Sequence, residues 1–351
     1  MGADQRIRAD WKEWSIVLDQ NHMLGESVKK QPSTAHYPIG TPGIAWGAAE
    51  RAAWLGSQRQ QRSYADEVVA PLKAQLPAQA ELLQYGELDY SRLGLGSGMG
   101  MDMDMDMRVH ALYAVRSRTW NPDRPVAVVT GGVHGYETSG VQGALLWTAR
   151  EFARAAEAVN LLVLPCISPW AYETINRWNP DALDPNRHFM PNSPVAEAAL
   201  AMACVAAHEG RIDLHIDLHE TTDTDNSEFG PAKAARDGLS FDGHDIPEGF
   251  YLVGDAERPV PDFQRALIEA VSRVTPIAAA DARGCIIGTR VQQPGVIHFA
   301  QRSRGLCGGM TDARFVTTTE VYPDSPATSA AQCNQAQAAA VSAALAYLLR
   351  S

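Results

Sequence analysis

The stretch from Pro125 to Cys166 leaves the chain few choices of fold. Pro125-Val-Ala-Val-Val-Thr130 is an almost unbroken apolar run, the pattern of a strand buried on both faces. From Glu137 to about Ala158, residues Val141, Leu145, Leu146, Ala149 and Phe152 recur at helical spacing. A second buried strand follows over 159–166. Strand, helix, strand in that order predicts a βαβ unit with a right-handed crossover in a mainly parallel sheet.

The rest of the chain reads as an extension of that sheet. Helical spacing occurs over 47–76, 195–209, 262–274 and 327–349, and strands are expected at 82–90, 109–115, 212–219, 250–253, within 286–299, and at 315–321. Residues 220–250 are rich in Asp, Gly, Ser and Pro and read as a long loop. Residues 1–35 are polar and form an N-terminal extension, which leaves 36–351 as one domain. The fold class is therefore α/β, with a mixed, largely parallel central sheet flanked by helices. The tract MDMDMDM at 101–107 alternates soft sulfur with hard carboxylate. A metal site would not mix them so, and the tract reads as a loop or hairpin tip.

Composition narrows the function. Of 351 residues, 45% are hydrophobic, which is ample for a core, and the 20% that are charged argue against global disorder. A net charge of −11 argues against a nucleic-acid backbone as partner. The N-terminal MGADQRIRADWKEW lacks an apolar signal segment, and no apolar run is long enough to span a bilayer. Arg6 stands where a myristoylation signal needs Ser or Thr. The five cysteines are odd in number and form no CxxC pair, so neither a disulfide framework nor a cysteine zinc site is expected. A cytoplasmic enzyme that binds neither membrane nor nucleic acid fits these features.

Four clusters carry chemistry. Gly131-Gly-Val-His134-Gly-Tyr-Glu137 follows a buried strand and opens a helix, at the strand end where ligands bind in open α/β sheets. Three positions apart across a tight turn, His134 and Glu137 can reach one cation, and a nitrogen–oxygen pair suits zinc. In Ile212-Asp-Leu-His-Ile-Asp-Leu-His219-Glu-Thr-Thr, alternation puts His215, Asp217 and His219 on one face. His219 lies at the strand's end and is the better third ligand. His215 would sit roughly 6.5 Å deeper as a hydrogen-bonded structural residue. Asp217 is equally open to a supporting or a structural role. The third cluster, Asn176 to Phe189, sets Arg177 and Arg187 in a Pro- and Asn-rich loop of an acidic chain. A guanidinium there could clamp a carboxylate or stabilise an oxyanion. In the fourth, Phe315-Val-Thr-Thr-Thr-Glu320-Val-Tyr-Pro323, a carboxylate interrupts a β-rich run and could act as a base.

Taken in order over roughly 125–325, these motifs resemble the zinc carboxypeptidase family and its relatives, the aspartoacylase and succinylglutamate desuccinylase group. His134 and Glu137 resemble the family's HxxE zinc pair. Arg177 to Arg187 is similar to its R-x-N-x-x-G-x-D-x-N-R stretch, with Ala182 in place of the Gly. The resemblance implies one zinc (Zn2+) per chain on His134, Glu137 and His219, Asp184 orienting His134, and Arg177 polarising the oxyanion. It further implies Asn186 and Arg187 gripping the substrate's carboxylate, and Glu320 as general base. Where carboxypeptidases carry a substrate-covering Tyr, this chain offers His298. Arg302 and Arg304 fall in the region that lines the family's specificity pocket, which implies a preference for acidic side chains. The implied substrate is a small peptide. The close match around His219 keeps an N-acyl amino acid deacylase open, and a catalytically inactive module that binds acidic ligands is the third reading.

Overall fold

The structure, a computed structural model, describes residues 37–91, 109–208, 210–243 and 245–351. The 1–35 extension and the Met-Asp tract at 101–107 lie outside these residues. Two short helices, α1 (Ala48–Ser57) and α2 (Ala70–Ala74), precede the antiparallel strands β1 (Ala80–Asp89) and β2 (Val109–Ser117). The βαβ unit follows as β3 (Val126–Gly131), α3 (Thr138–Ala155) and β4 (Asn160–Leu164). Next come α4 (Pro169–Thr174), α5 (Ala196–Ala206), β5 (Ile212–Glu220), α6 (Gly230–Asp237), β6 (Tyr251–Asp255) and α7 (Pro261–Val271). A small hairpin of β7 (Cys285–Ile286) and β8 (Thr289–Arg290) leads to β9 (Val296–Phe299), β10 (Phe315–Val321) and α8 (Ala330–Leu348).

Eight strands share one sheet in the order β1-β2-β4-β3-β5-β10-β6-β9. Its centre is parallel: β3 pairs with β4 and β5, and β5 with β10. Beyond β10 the direction reverses, because β6 runs antiparallel to it and carries β9 in parallel. This is the mixed, mostly parallel sheet that the sequence implies. β3 and β4 are buried along their whole length, as their unbroken apolar runs require.

Alternation on β5 sorts its side chains. Leu214, Ile216 and Leu218 join a core formed with α3, α7 and α8, while His215, Asp217 and His219 face the other way. Two buried glutamines bind the sheet to that helical layer. Gln264 of α7 accepts the Thr317 hydroxyl at 3.0 Å and donates to the Val316 carbonyl at 3.2 Å. Gln337 of α8 accepts the Thr319 hydroxyl and donates to the His219 carbonyl at 2.8 Å.

Residues 220–250 are not the single long loop expected. A π-helical turn, Asp225–Phe229, runs directly into α6. Pro231 sits at the helix start and Gly238 ends it with φ +69, which suits both residues. The Ala-Lys-Ala-Ala stretch between them is a good helix former that the polar flanks obscured.

Candidate active site

The first cluster sits on the turn from β3 into α3. Gly135 is required there. A Cβ at this position would lie 1.9 Å from the Ala171 carbonyl carbon of α4, so the turn packs backbone to backbone. That fixes His134 and Glu137 over the C-terminal ends of β3 and β5. His134 Nδ1 lies 2.7 Å from Glu137 Oε1, and His219 Nδ1 lies 2.7 Å from Glu137 Oε2. The three ligand atoms fall within 4.8 Å of one another, and no residue of the three is more than 2% exposed.

Both imidazoles are held from behind. His134 Nε2 meets Asp184 Oδ1 at 2.9 Å, and His219 Nε2 meets Asp217 Oδ2 at 2.7 Å. Each ring therefore turns Nδ1 inward, with a carboxylate on its outer nitrogen, an arrangement that orients metal-binding histidines. His215 sits below, between the Thr130 and Thr311 hydroxyls at 3.1 and 3.3 Å, and is fully buried.

Asp184 joins two parts of the site. Its second oxygen accepts Arg177 Nε at 3.1 Å, and its first also accepts the Asn186 backbone N–H at 2.9 Å. Arg177 Nη1 donates to the Tyr136 hydroxyl at 3.0 Å and approaches Asp225 at 3.5 Å. The Tyr136 ring stacks on His134 and packs against Phe229. Ala182, which stands where the resembling motif has Gly, adopts φ +57. This is the left-handed region that glycine favours, so the loop keeps its shape despite the substitution.

Arg187 and Asn186 line the same cavity, of about 300 Å³, with Glu320 and Arg304. Asn186 is held by the Cys307 backbone N–H, which donates to its Oδ1 at 2.8 Å. Glu320 lies beside His219 across the β5–β10 pairing. Burial pushes its carboxyl up to about 8, with His219 pulling downward and Glu137 adding to the rise. Glu220 is pushed up to about 7 by burial, but it accepts the Ser139 backbone N–H at 2.7 Å and so serves the start of α3.

Two residues expected at the substrate are elsewhere. Arg302 turns outward to Asp312 at 2.7 Å and the Thr311 carbonyl at 3.2 Å. Its neighbour Arg304 instead lies over the Phe299 ring at 4.4 Å and faces the cavity. His298 points to the α7 side of the sheet, where a Cβ on Gly254 would meet both it and Gln264. Alternation on β9 puts Phe299 in the cavity instead. Tyr136, Thr221, Asp225, Phe229 and Tyr251 also line the cavity and were not singled out from the sequence. Tyr136 and Thr221 stand inside recognised motifs. Asp225 and Phe229 lie in the stretch read as loop, and nothing local marks Tyr251.

Buried charges of both signs are packed together in the site. Burial alone would raise Glu137 and Asp184, yet the first is held low by His219 and His134, and the second by Arg177 and His134. Burial would likewise lower His219, but Glu137 and Asp217 hold it well above the ordinary histidine value. Glu137 Oε2 faces His219 Nδ1 at 2.7 Å, so the carboxylate bridges the two imidazoles. Two inward nitrogens and a carboxylate, with anionic support behind them, fit zinc.

The fold is that of solved structures described as metallopeptidases and metallo-carboxypeptidases. A proposed metallopeptidase from Shewanella amazonensis superposes with a TM-score of 0.56 at 20% identity, covering 80% of this chain and 90% of that one. A second, from Shewanella denitrificans, gives 0.57 at 18%, covering 80% and 88%. A metallo-carboxypeptidase from Pseudomonas aeruginosa, solved with (2-guanidinoethylmercapto)succinic acid, gives 0.52 at 16%, covering 80% and 68%. At these identities the likeness is one of fold. No protein-family model matches the chain, and no curated protein matches it in sequence.

Proposed function

We propose that this protein is a zinc-dependent hydrolase of the metallocarboxypeptidase type, with one zinc on His134, Glu137 and His219. It would cleave an amide bond beside a free carboxylate. The observation that carries this reading is convergence. The ligand triad, Arg177, the Asn186–Arg187 pair and Glu320 come from separate loops and strands, yet all line one cavity.

Zinc, when bound, supplies a Lewis acid that activates water and polarises the scissile carbonyl. The protein's own groups do the rest. Arg187 and Asn186 hold the substrate's carboxylate and so fix which amide is reached. Arg177, steadied by Asp184, Tyr136 and Asp225, donates to the oxygen on which negative charge develops. Glu320 takes the proton from the attacking water and returns it to the leaving amine. Asp184 and Asp217 keep the imidazoles in one tautomer.

A cavity of about 300 Å³ suits a small peptide, and its modest size equally suits an N-acyl amino acid. A hydrolysis screen of dipeptides beside N-acyl amino acids separates the two. The third reading, an inactive module for acidic ligands, predicts no product in a single-turnover assay with added zinc. Glu320→Gln should keep zinc while losing roughly 10²–10⁴-fold in turnover, and near-normal turnover would move the base elsewhere. Four of the five free thiols are buried and no helix among the described residues is long and apolar enough to cross a membrane. Both features suit the reducing cytoplasm, where we place the enzyme.

A further inference from the structure

Three side chains stand in one row across three strands. Register pairs Glu320 of β10 with His219 of β5 on one side and with Tyr251 of β6 on the other. Paired residues point to the same face, so Tyr251 enters the cavity beside the carboxylate. The two do not bond directly. Thr221, just beyond the end of β5, stands between them. Its hydroxyl donates to Glu320 Oε2 at 2.9 Å and lies 2.8 Å from the Tyr251 hydroxyl. Thr221 is itself pinned, because its backbone N–H donates to the Val321 carbonyl at 3.0 Å. Tyr251 is 1% and Thr221 6% exposed.

With Glu320 ionised, the form a base requires, proton counting fixes the direction of this chain. An ionised carboxylate only accepts, and a threonine hydroxyl has one proton to give. Thr221 gives that proton to Glu320, so Tyr251 must donate to Thr221. Each bond polarises the next. Glu320 Oε2 is thereby held, and Oε1 has no hydrogen-bond partner among the described residues. The terminal torsion of a glutamate is otherwise soft, so a carboxylate without this tether would turn away from the attacking water.

We propose that Thr221 and Tyr251 are positioning residues, a chain of two hydroxyls that holds one oxygen of Glu320 so that the other faces the substrate. The inference rests on the reading of Glu320 as the base. It implies that Tyr251 acts on the reaction through Thr221 and not by touching substrate.

The test is steady-state kinetics on the zinc-loaded enzyme with its best substrate from the screen above. Thr221→Val should retain full zinc and lower kcat about 10–100-fold with KM changed less than about twofold, since misplacing a reacting group by an ångström costs on this scale. Thr221→Ser restores the hydroxyl and should recover most of that loss. Tyr251→Phe should lower kcat about 3–10-fold, and the double variant Thr221→Val/Tyr251→Phe should match Thr221→Val alone within about twofold, because residues acting in series are not additive. Multiplying losses would show Tyr251 acting independently and overturn the chain. So would a Tyr251→Phe enzyme with wild-type kcat, which serves even if Thr221→Val folds poorly. Near-normal kcat in Thr221→Val beside an inactive Glu320→Gln overturns the positioning role alone. An active Glu320→Gln overturns the base assignment and the chain with it.

Discussion

Replacing Asp184 with Asn tests how the proposed ligand triad and the proposed oxyanion arginine, Arg177, are joined. The carboxylate accepts three hydrogen bonds: His134 Nε2 and the Asn186 N–H on Oδ1, both at 2.9 Å, and Arg177 Nε on Oδ2 at 3.1 Å. Asn has the same shape but a single acceptor oxygen. If that oxygen serves His134, the amide nitrogen faces Arg177 donor to donor. Arg177 keeps Tyr136 and Asp225, so it is not fully orphaned. The cost should fall below the roughly 3–5 kcal/mol of a broken buried pair and near that of one charge-assisted bond, about 2–3 kcal/mol. His134 also loses the negative charge behind it, which should weaken zinc binding about 10–100-fold. Urea unfolding in the presence of a chelator reads the first quantity. Competition with a fluorescent zinc indicator reads the second. If the Asp184→Asn protein unfolds at the wild-type midpoint and binds zinc within about threefold of wild type, the account of Asp184 as a shared tether, and the magnitudes drawn from it, are wrong.

Three further outcomes follow from the same geometry. In the metal-free protein Glu320 has its carboxyl raised to about 8, so the unfolded chain releases this proton first and stability falls as pH rises from about 4.5 to 8. Glu320→Gln has nothing to ionise, so its stability advantage over wild type should open over that window by a few kcal/mol, on the order of 2–4, in urea titrations at pH 5 and 8; a gap independent of pH would refute it. Arg187→Ala should lose most activity on free-acid substrates and no longer distinguish acid from amide in kcat/KM, whereas wild type should favour the acid by a factor of about a hundred or more. Arg304, lying over Phe299 and facing the cavity, should favour an acidic side chain on the released residue; Arg304→Glu should reverse the ranking of C-terminal Glu and Lys substrates, and equal rates in wild type would end the idea.

Local pattern revealed the parts of the site that lie within one motif. His134 and Glu137 share a turn, and Asp184 to Arg187 share a loop, so their proximity follows from chain geometry alone. The sheet itself was legible because β3, α3 and β4 carry clear periodicities. What sequence reading missed depends on pairing between distant strands. Tyr251 reaches the cavity only because β6 runs antiparallel to β10 with Tyr251 opposite Glu320, and no local pattern sets that register. His298 turns away for a related reason: an offset of one position sends a side chain to the other face, and the sequence does not show where β9 begins, while Arg302 lies in the turn beyond β9, where alternation gives no guide. The hidden π-helical turn that runs into α6 brought in Asp225 and Phe229 from a stretch whose composition reads as loop.

The two glutamines beneath the sheet have a consequence for how the protein reaches a single working form. β10 presents Thr317, Thr318 and Thr319 in succession, and three identical side chains offer little to tell one alignment from its neighbour. A slip of one position would carry Glu320 to the opposite face, out of the cavity and into the layer where Phe315 and Val321 now pack. Gln264 recognises Thr317 and the Val316 carbonyl, while Gln337 recognises Thr319 and the His219 carbonyl. Each amide acts as a gauge that accepts one alignment and leaves buried polar groups unpaired in any other. Substitution of either therefore removes one check on the alignment that brings Glu320 beside His219.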